Sequence, residues 1–151
     1  MKTLAKIREN IGLLIPRGQL SIPRHQMPQI EKEYYPEFFY LLGLRGVSFE
    51  HKAISANRLR TAQNEIDVNK VKEWIKSIPE GARKKDIIVS KDLYVLDGNH
   101  TWLAILNKNP NSKIVCFVVD LNMVDLINTC KLFDKVTNKT VNEEYDVIRF
   151  I

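Results

Sequence analysis

Asp97, Gly98, Asn99, His100 and Thr101 place a carboxylate, a carboxamide, an imidazole and a hydroxyl on consecutive residues around one glycine. A strand that ends in Asp-Gly and passes at once into a helix leaves backbone amides free at the positive end of the helix dipole, a geometry suited to an anion. Gly98 allows a backbone conformation, or a close ligand approach, that a side chain would block. His100 and Thr101 in the first turn could donate to phosphate oxygens, and Asp97 could take a proton or hold a metal ion. The same residue types also make ordinary turns and helix caps, so the run alone leaves both uses open.

The surrounding pattern decides how such a run is positioned. Ile87, Ile88 and Val89, a Lys91-Asp92 turn, and Tyr94, Val95 and Leu96 read as a hairpin. Trp102, Leu103, Ile105 and Leu106 follow as a helix to Asn107 or Lys108, with Pro110 beyond. Upstream, Asp67 caps a predicted helix whose apolar face is Val71, Trp74, Ile75 and Ile78, ended by Pro79 and Gly81. Trp74 and Trp102 are expected in the core.

Ile114–Val119 is the most strand-like stretch, and Val124, Leu126, Ile127, Leu132 and Phe133 predict one more helix. Val147–Ile151 reads as a terminal strand or a docking tail. At the other end, Leu4, Ile7, Ile11, Leu14 and Ile15 form an amphipathic helix stopped by Pro16, followed by an extended basic connector, Arg17–Pro28. Ile30–Leu44 carries Tyr34, Tyr35, Phe38, Phe39 and Tyr40 beside leucines, which favours core packing over a base-stacking platform. Val47–Ala56 reads as a strand broken or bulged around Glu50-His51-Lys52, Ser55–Leu59 as a short extended piece or second strand, and Thr61–Glu65 as a polar loop. These elements predict an α/β (α+β) fold, a small mixed sheet with flanking helices. The expected organisation is a helical extension over 1–46, a core over 47–122, and a C-terminal helix and tail over 123–151, all in one compact domain.

The chain has 151 residues, 44% hydrophobic and 27% charged, a balance that supports a folded core. Its net charge of +5 favours polyanionic partners. Cys116 and Cys130 read as buried thiols, and with His25, His51 and His100 scattered there is no zinc-site spacing. Charges interrupt the first sixteen residues, unlike a secretory signal, and no apolar run reaches the roughly 18–20 residues needed to span a bilayer. A cytoplasmic protein with no membrane partner is expected.

The run from Ile87 to Ala104, with its hairpin, its Asp97-Gly98-Asn99-His100 loop and the helix opening on Trp102 and Ala104, resembles the ParB/sulfiredoxin superfamily. Leu59 to Asp67, leading into Val71, looks like the loop and helix that precede this hairpin in the same superfamily, and the resemblance covers about Ile54 to Leu121. Met27-Pro28-Gln29 is similar to a segment of phage-encoded relatives. The resemblance implies a small α/β fold that binds nucleotide phosphates at the Gly-His loop, through Gly98, Asn99, His100, Thr101 and Gln63, with ATP or another NTP and Mg²⁺ held in part by Asp97. Asp97, Gly98 and His100 match the Asp-Gly-His-His-Arg loop of the free-serine kinases, whereas the sulfiredoxin cysteine is replaced by Asn99. The family arginine after the histidine is Thr101 here, which removes a bidentate phosphate clamp. Lys84, Lys85, Arg17 or Arg24 would have to supply that charge.

Three functions follow. The first is an NTP-dependent phosphotransferase or NTPase, with Glu65, Asp97 and His100 as catalytic candidates and Gln63 or Glu65 in the region of the kinase general base. The second is a DNA-binding or DNA-nicking accessory protein of phage or plasmid type, using Arg17, Arg24, Arg58, Arg60, Arg83, Lys84 and Lys85 on backbone phosphates. The third is an inactive relative that presents its aromatic helix to a partner protein. A homodimer is compatible with each.

Overall fold

Ile87, Ile88 and Val89 are all fully buried, which a strand achieves only when both faces of its sheet are covered. The computed structural model describes residues 13–14, 20–63, 65–77, 86–135, 137–138 and 147–149. In chain order the elements are β1 (Pro28–Gln29), α1 (Tyr35–Leu44), β2 (Phe49–Ser55), β3 (Arg60–Thr61), β4 (Glu65–Asp67), α2 (Val68–Ser77), β5 (Ile87–Ser90), β6 (Tyr94–Asp97), α3 (Asn99–Lys108), β7 (Lys113–Val119), α4 (Met123–Cys130), β8 (Thr137–Asn138) and β9 (Val147–Arg149). Short 3-10 turns lie at Arg24–Gln26, Lys32–Tyr34 and Ala56–Arg58.

Five strands form a mixed sheet in the order β2-β7-β5-β6-β3. β2 and β7 are antiparallel, β7 and β5 parallel, β5 and β6 an antiparallel hairpin, and β6 and β3 parallel. Two smaller pairings, β1 with β8 and β4 with β9, lie outside this sheet. The expected α/β class, a mixed sheet with flanking helices, is what the structure has.

Pleating sorts the central strands onto two cores. Ile87, Val89 and Val95 pack with Val68 and Val71 of α2 and with Trp102, Leu103 and Leu106 of α3. Ile88, Tyr94 and Leu96 point the other way, onto Tyr35, Phe38 and Leu42 of α1 and Met123, Leu126 and Cys130 of α4. Asn107 ties the first core to the chain start, accepting from the Leu14 amide at 2.5 Å and donating to the Leu14 carbonyl at 2.9 Å. The remainder of the expected N-terminal helix lies outside the described residues, as do Pro79 and Gly81.

Several local expectations change. β2 runs unbroken through Glu50-His51-Lys52, because each residue from Phe49 to Ser55 has a partner on β7, and charged side chains on an edge strand do not interrupt its ladder. Ser55–Leu59 contains a 3-10 turn rather than an extended piece. The segment expected as a polar loop after it holds β3, a parallel bridge from Gln63 to Ile22, and the start of β4, so pairing with distant strands overrides its polarity. The aromatic helix is only partly core: Tyr35 and Phe38 are buried, but Tyr40 is 70% exposed.

Gly98 joins β6 to α3 with φ +101°, and a Cβ there would lie 2.3 Å from Ile87 Cγ2. Both the backbone angle and the neighbouring strand exclude a side chain. Gly43, within α1, has nothing within 4 Å of the same position. Gly98→Ala is therefore expected to lower stability by about 2–4 kcal/mol, and Gly43→Ala to raise it by about 0.5–1 kcal/mol. Urea unfolding of the two variants measures both; equal effects would contradict the close approach.

Candidate functional site

α3 begins directly after Gly98, whose lack of a side chain leaves the first-turn amides without an N-cap group of the usual Ser, Asp or Asn kind. In front of this turn lies a cavity of about 240 Å³ lined by Asp97, Gly98, Asn99, His100 and Thr101 from the loop. Arg24 closes it from the connector, Gln29, Glu31 and Lys32 from β1 and the stretch that leads into α1, and Lys70 and Trp74 from α2. Three cations thus face two carboxylates around a helix N-terminus.

The loop side chains are largely engaged in holding the loop. Asp97 Oδ2 accepts from the Ile30 amide at 3.1 Å, which pins the chain just after β1 against the loop. Asn99 Oδ1 accepts from the Thr61 hydroxyl at 2.9 Å, and its Nδ2 donates to Gln63 Oε1 and the Val95 carbonyl, each at 3.4 Å. The Asp67 amide donates to His100 Nε2 at 3.0 Å. With Nε2 an acceptor, a neutral His100 carries its proton on Nδ1, an assignment made from the partner. Asp97, Asn99, His100 and Thr101 are all at least 95% buried. The wall of the cavity presents the first turn of α3, His100 and the cations Arg24, Lys32 and Lys70.

Arg24, expected as a possible source of charge, does reach the cavity wall, and its Nη1 nitrogen is shielded from solvent. Gln63 is buried and acts on the loop through Asn99 rather than lining the cavity. Glu65 sits in β4, but its side chain lies outside the described residues. Arg17, Arg83, Lys84 and Lys85 also lie outside them. Arg58 is exposed on its 3-10 turn, away from the cavity lining, and Arg60 lies over the Tyr94 ring at 4.4 Å while donating to the Asp92 carbonyl. The described part of the expected basic set is therefore not gathered on one face of the site. Among the described residues no group of three or more His, Cys, Asp or Glu is placed to hold a metal ion. A divalent cation here would rest on Asp97 and on the ligand's own oxygens.

Trp102 is fully buried and its indole N–H donates to the Ala56 carbonyl at 2.8 Å, as a core tryptophan should. Trp74 does not follow that expectation. It is half-buried on the cavity wall, edge-on to His100 at 6.3 Å, with Lys70 Nζ 4.9 Å from its ring. Helical periodicity could not separate the two cases, since a residue on the edge of an apolar stripe can face core or cleft. Glu31, Lys32 and Lys70 were likewise not marked by any motif; the only signal in Lys70-Trp74 is their one-turn spacing.

Asp97 also acts on groups of the second core. Burial first, and then the Asp97 carboxylate, pushes the Cys130 thiol up to about 12. Burial, with Asp97, Asp86 and Glu31 adding, raises the Tyr35 phenol above its ordinary range. No family model matches the chain, and no curated protein and no solved structure matches it either. No helix of the described residues is long and apolar enough to cross a membrane.

The raised thiol has a pH consequence. Above its ordinary value of 9.0 Cys130 ionises in the unfolded chain while the native thiol keeps its proton, so stability falls as pH rises from about 9 to about 12. Urea midpoints across that range should drop, and drop less steeply in Cys130→Ala. Equal slopes would show that the thiol does not carry the effect.

Proposed function

We propose that the Asp97–Thr101 loop binds the phosphate groups of a nucleotide, and that the protein is a ParB/sulfiredoxin-like NTP-dependent phosphotransferase or NTPase. The observation that carries this reading is the 240 Å³ cavity between a glycine-capped helix N-terminus and Arg24, Lys32 and Lys70. Whole small-molecule pockets usually span about 300–1,000 Å³, so this volume suits a phosphate chain with the rest of the ligand reaching outward. Arg24 supplies a guanidinium from the connector where the resembled family has one next to the histidine, and here the chain has Thr101.

In this reading the amides of the turn, His100 and the cationic wall hold the phosphates. Asp97 or Glu65 takes the proton of the acceptor hydroxyl. Bound Mg²⁺ supplies neutralisation of phosphate charge. Positioning and preorganised charge would then account for most of the rate, as phosphoryl transfer generally requires. A second reading, an inactive relative that docks a protein, is supported by the exposed Tyr40 and Leu44 on a groove of about 460 Å³ that also includes Pro36, Leu41 and Phe133.

Thermal unfolding in the presence of nucleoside triphosphates, diphosphates and tripolyphosphate, each with and without Mg²⁺, separates the two. Ligand at about 100 times its Kd adds roughly 2.7 kcal/mol, which for a chain of this size raises Tm by about 5–10 °C. Arg24→Ala and Lys70→Ala should each remove more than half of the shift. No shift with any of these compounds, or a shift unchanged in both variants, would refute the phosphate site.

A further inference from the structure

β2 is one edge of the five-stranded sheet, and among the described residues its outer side pairs with no strand. Phe49, Glu50, His51, Lys52 and Ala53 are all exposed, whereas Ile54, the next residue, is buried. Five consecutive exposed residues on a straight edge offer a template for another strand. Alternation puts Glu50 and Lys52 on one face of the sheet, and Phe49, His51 and Ala53 on the other.

The second face is held in place by the fold. The His51 ring stacks on Phe117, centroids 4.4 Å apart and planes 13° from parallel, and its Nε2 lies 2.7 Å from Asp86 Oδ2. Phe49 packs on Phe39 at 4.4 Å. On the first face Lys52 Nζ is 3.4 Å from Glu50 of the same chain, and both side chains are more than half exposed. An ion pair this open contributes little, so exchanging it for one across an interface costs little.

Two copies joined edge to edge by a two-fold axis run antiparallel, and residues that oppose each other must share a face. The axis must therefore pass through a residue rather than between two. An axis at Glu50 sets Glu50 against Glu50, and one at Lys52 sets Lys52 against Lys52. Centring on His51 instead opposes Glu50 to the partner's Lys52, Lys52 to the partner's Glu50, and Phe49 to the partner's Ala53. That register also matches the exposed stretch, whose middle residue is His51.

We infer that β2 is the interface of a homodimer in which two copies of the chain pair antiparallel about His51, joining their sheets into one. Opposed charge pairs across antiparallel strands are favourable and like charges directly opposite are unfavourable, so the charges select the register as well as the partner. This inference does not depend on the phosphate site.

Sedimentation velocity of the full chain, followed up to high micromolar concentration, should show a species of twice the 17.5 kDa chain mass. Glu50→Lys places lysines opposite each other at both symmetric pairs, and Lys52→Glu does the same with glutamates; each should weaken the dimer about tenfold or more. The double variant Glu50→Lys/Lys52→Glu restores opposite charges and should recover the dimer. All four proteins should keep the same circular dichroism, because the positions are exposed. A monomer at every concentration, single variants that dimerise like the parent, or a double variant no better than the singles would each overturn the proposal.

Discussion

Contact between Gly98 and Ile87 is the constraint on which the rest of the molecule turns. β6 can hand over to α3 in a single residue only because that residue has no Cβ to meet the Ile87 side chain and can hold a positive φ. The tight handover brings the first turn of α3 against the β5-β6 hairpin. It sets the buried face of α3 on one core while the helix start stays at the sheet's end, beside the cavity. A looser connection would cover the same helix start with chain.

A loop fixed this closely still needs its polar side chains satisfied, since unpaired polar groups in a buried setting cost heavily. Asn99 is matched by Thr61 and Gln63, Asp97 by the Ile30 amide, and His100 by the Asp67 amide. These bonds reach into β3, the chain just after β1 and the β4-α2 junction, so the loop is held from three sides. The cost is chemical freedom: one carboxylate oxygen, one imidazole nitrogen and the whole Asn99 carboxamide are committed to structure. Arg24, Lys32 and Lys70 then bring cations to a cavity that also holds the carboxylates of Glu31 and Asp97.

Much of this was legible in the sequence where a local signal and a tertiary fact coincide. The hairpin, the Asp67 cap on α2 through the Lys70 amide at 3.0 Å, and the strand at 114–119 are written in β-branched runs and capping residues. Asp97, Gly98, Asn99, His100 and Thr101 were singled out and do share one cavity wall. What could not be read is what depends on distant chain. β3 and β4 are two and three residues long, too short for periodicity, and exist because β6 and β9 pair with them. Trp74 and Lys70 belong to the wall because of where α2 crosses α3, which their own spacing does not encode. Gly98 was legible as a flexible position, but the reason for it, the Ile87 side chain, was not.

The connector gives the site a property that a local arginine would not. Arg24 and Lys32 reach the cavity from a segment that is itself fastened to the loop by the bond between Ile30 and Asp97, and to the sheet by the bridge from Ile22 to Gln63. Gln63 in turn supports Asn99. An anion held between the turn and Arg24 would therefore close a ring of contacts that already runs through Ile22, Gln63, Asn99, Asp97 and Ile30. Each link fixes the next, so the backbone on either side of Arg24 is held by the fold itself. Thr101 adds only a hydroxyl to the wall, so its positive groups come from Arg24, Lys32 and Lys70, in keeping with a loop whose own side chains are occupied in holding it together.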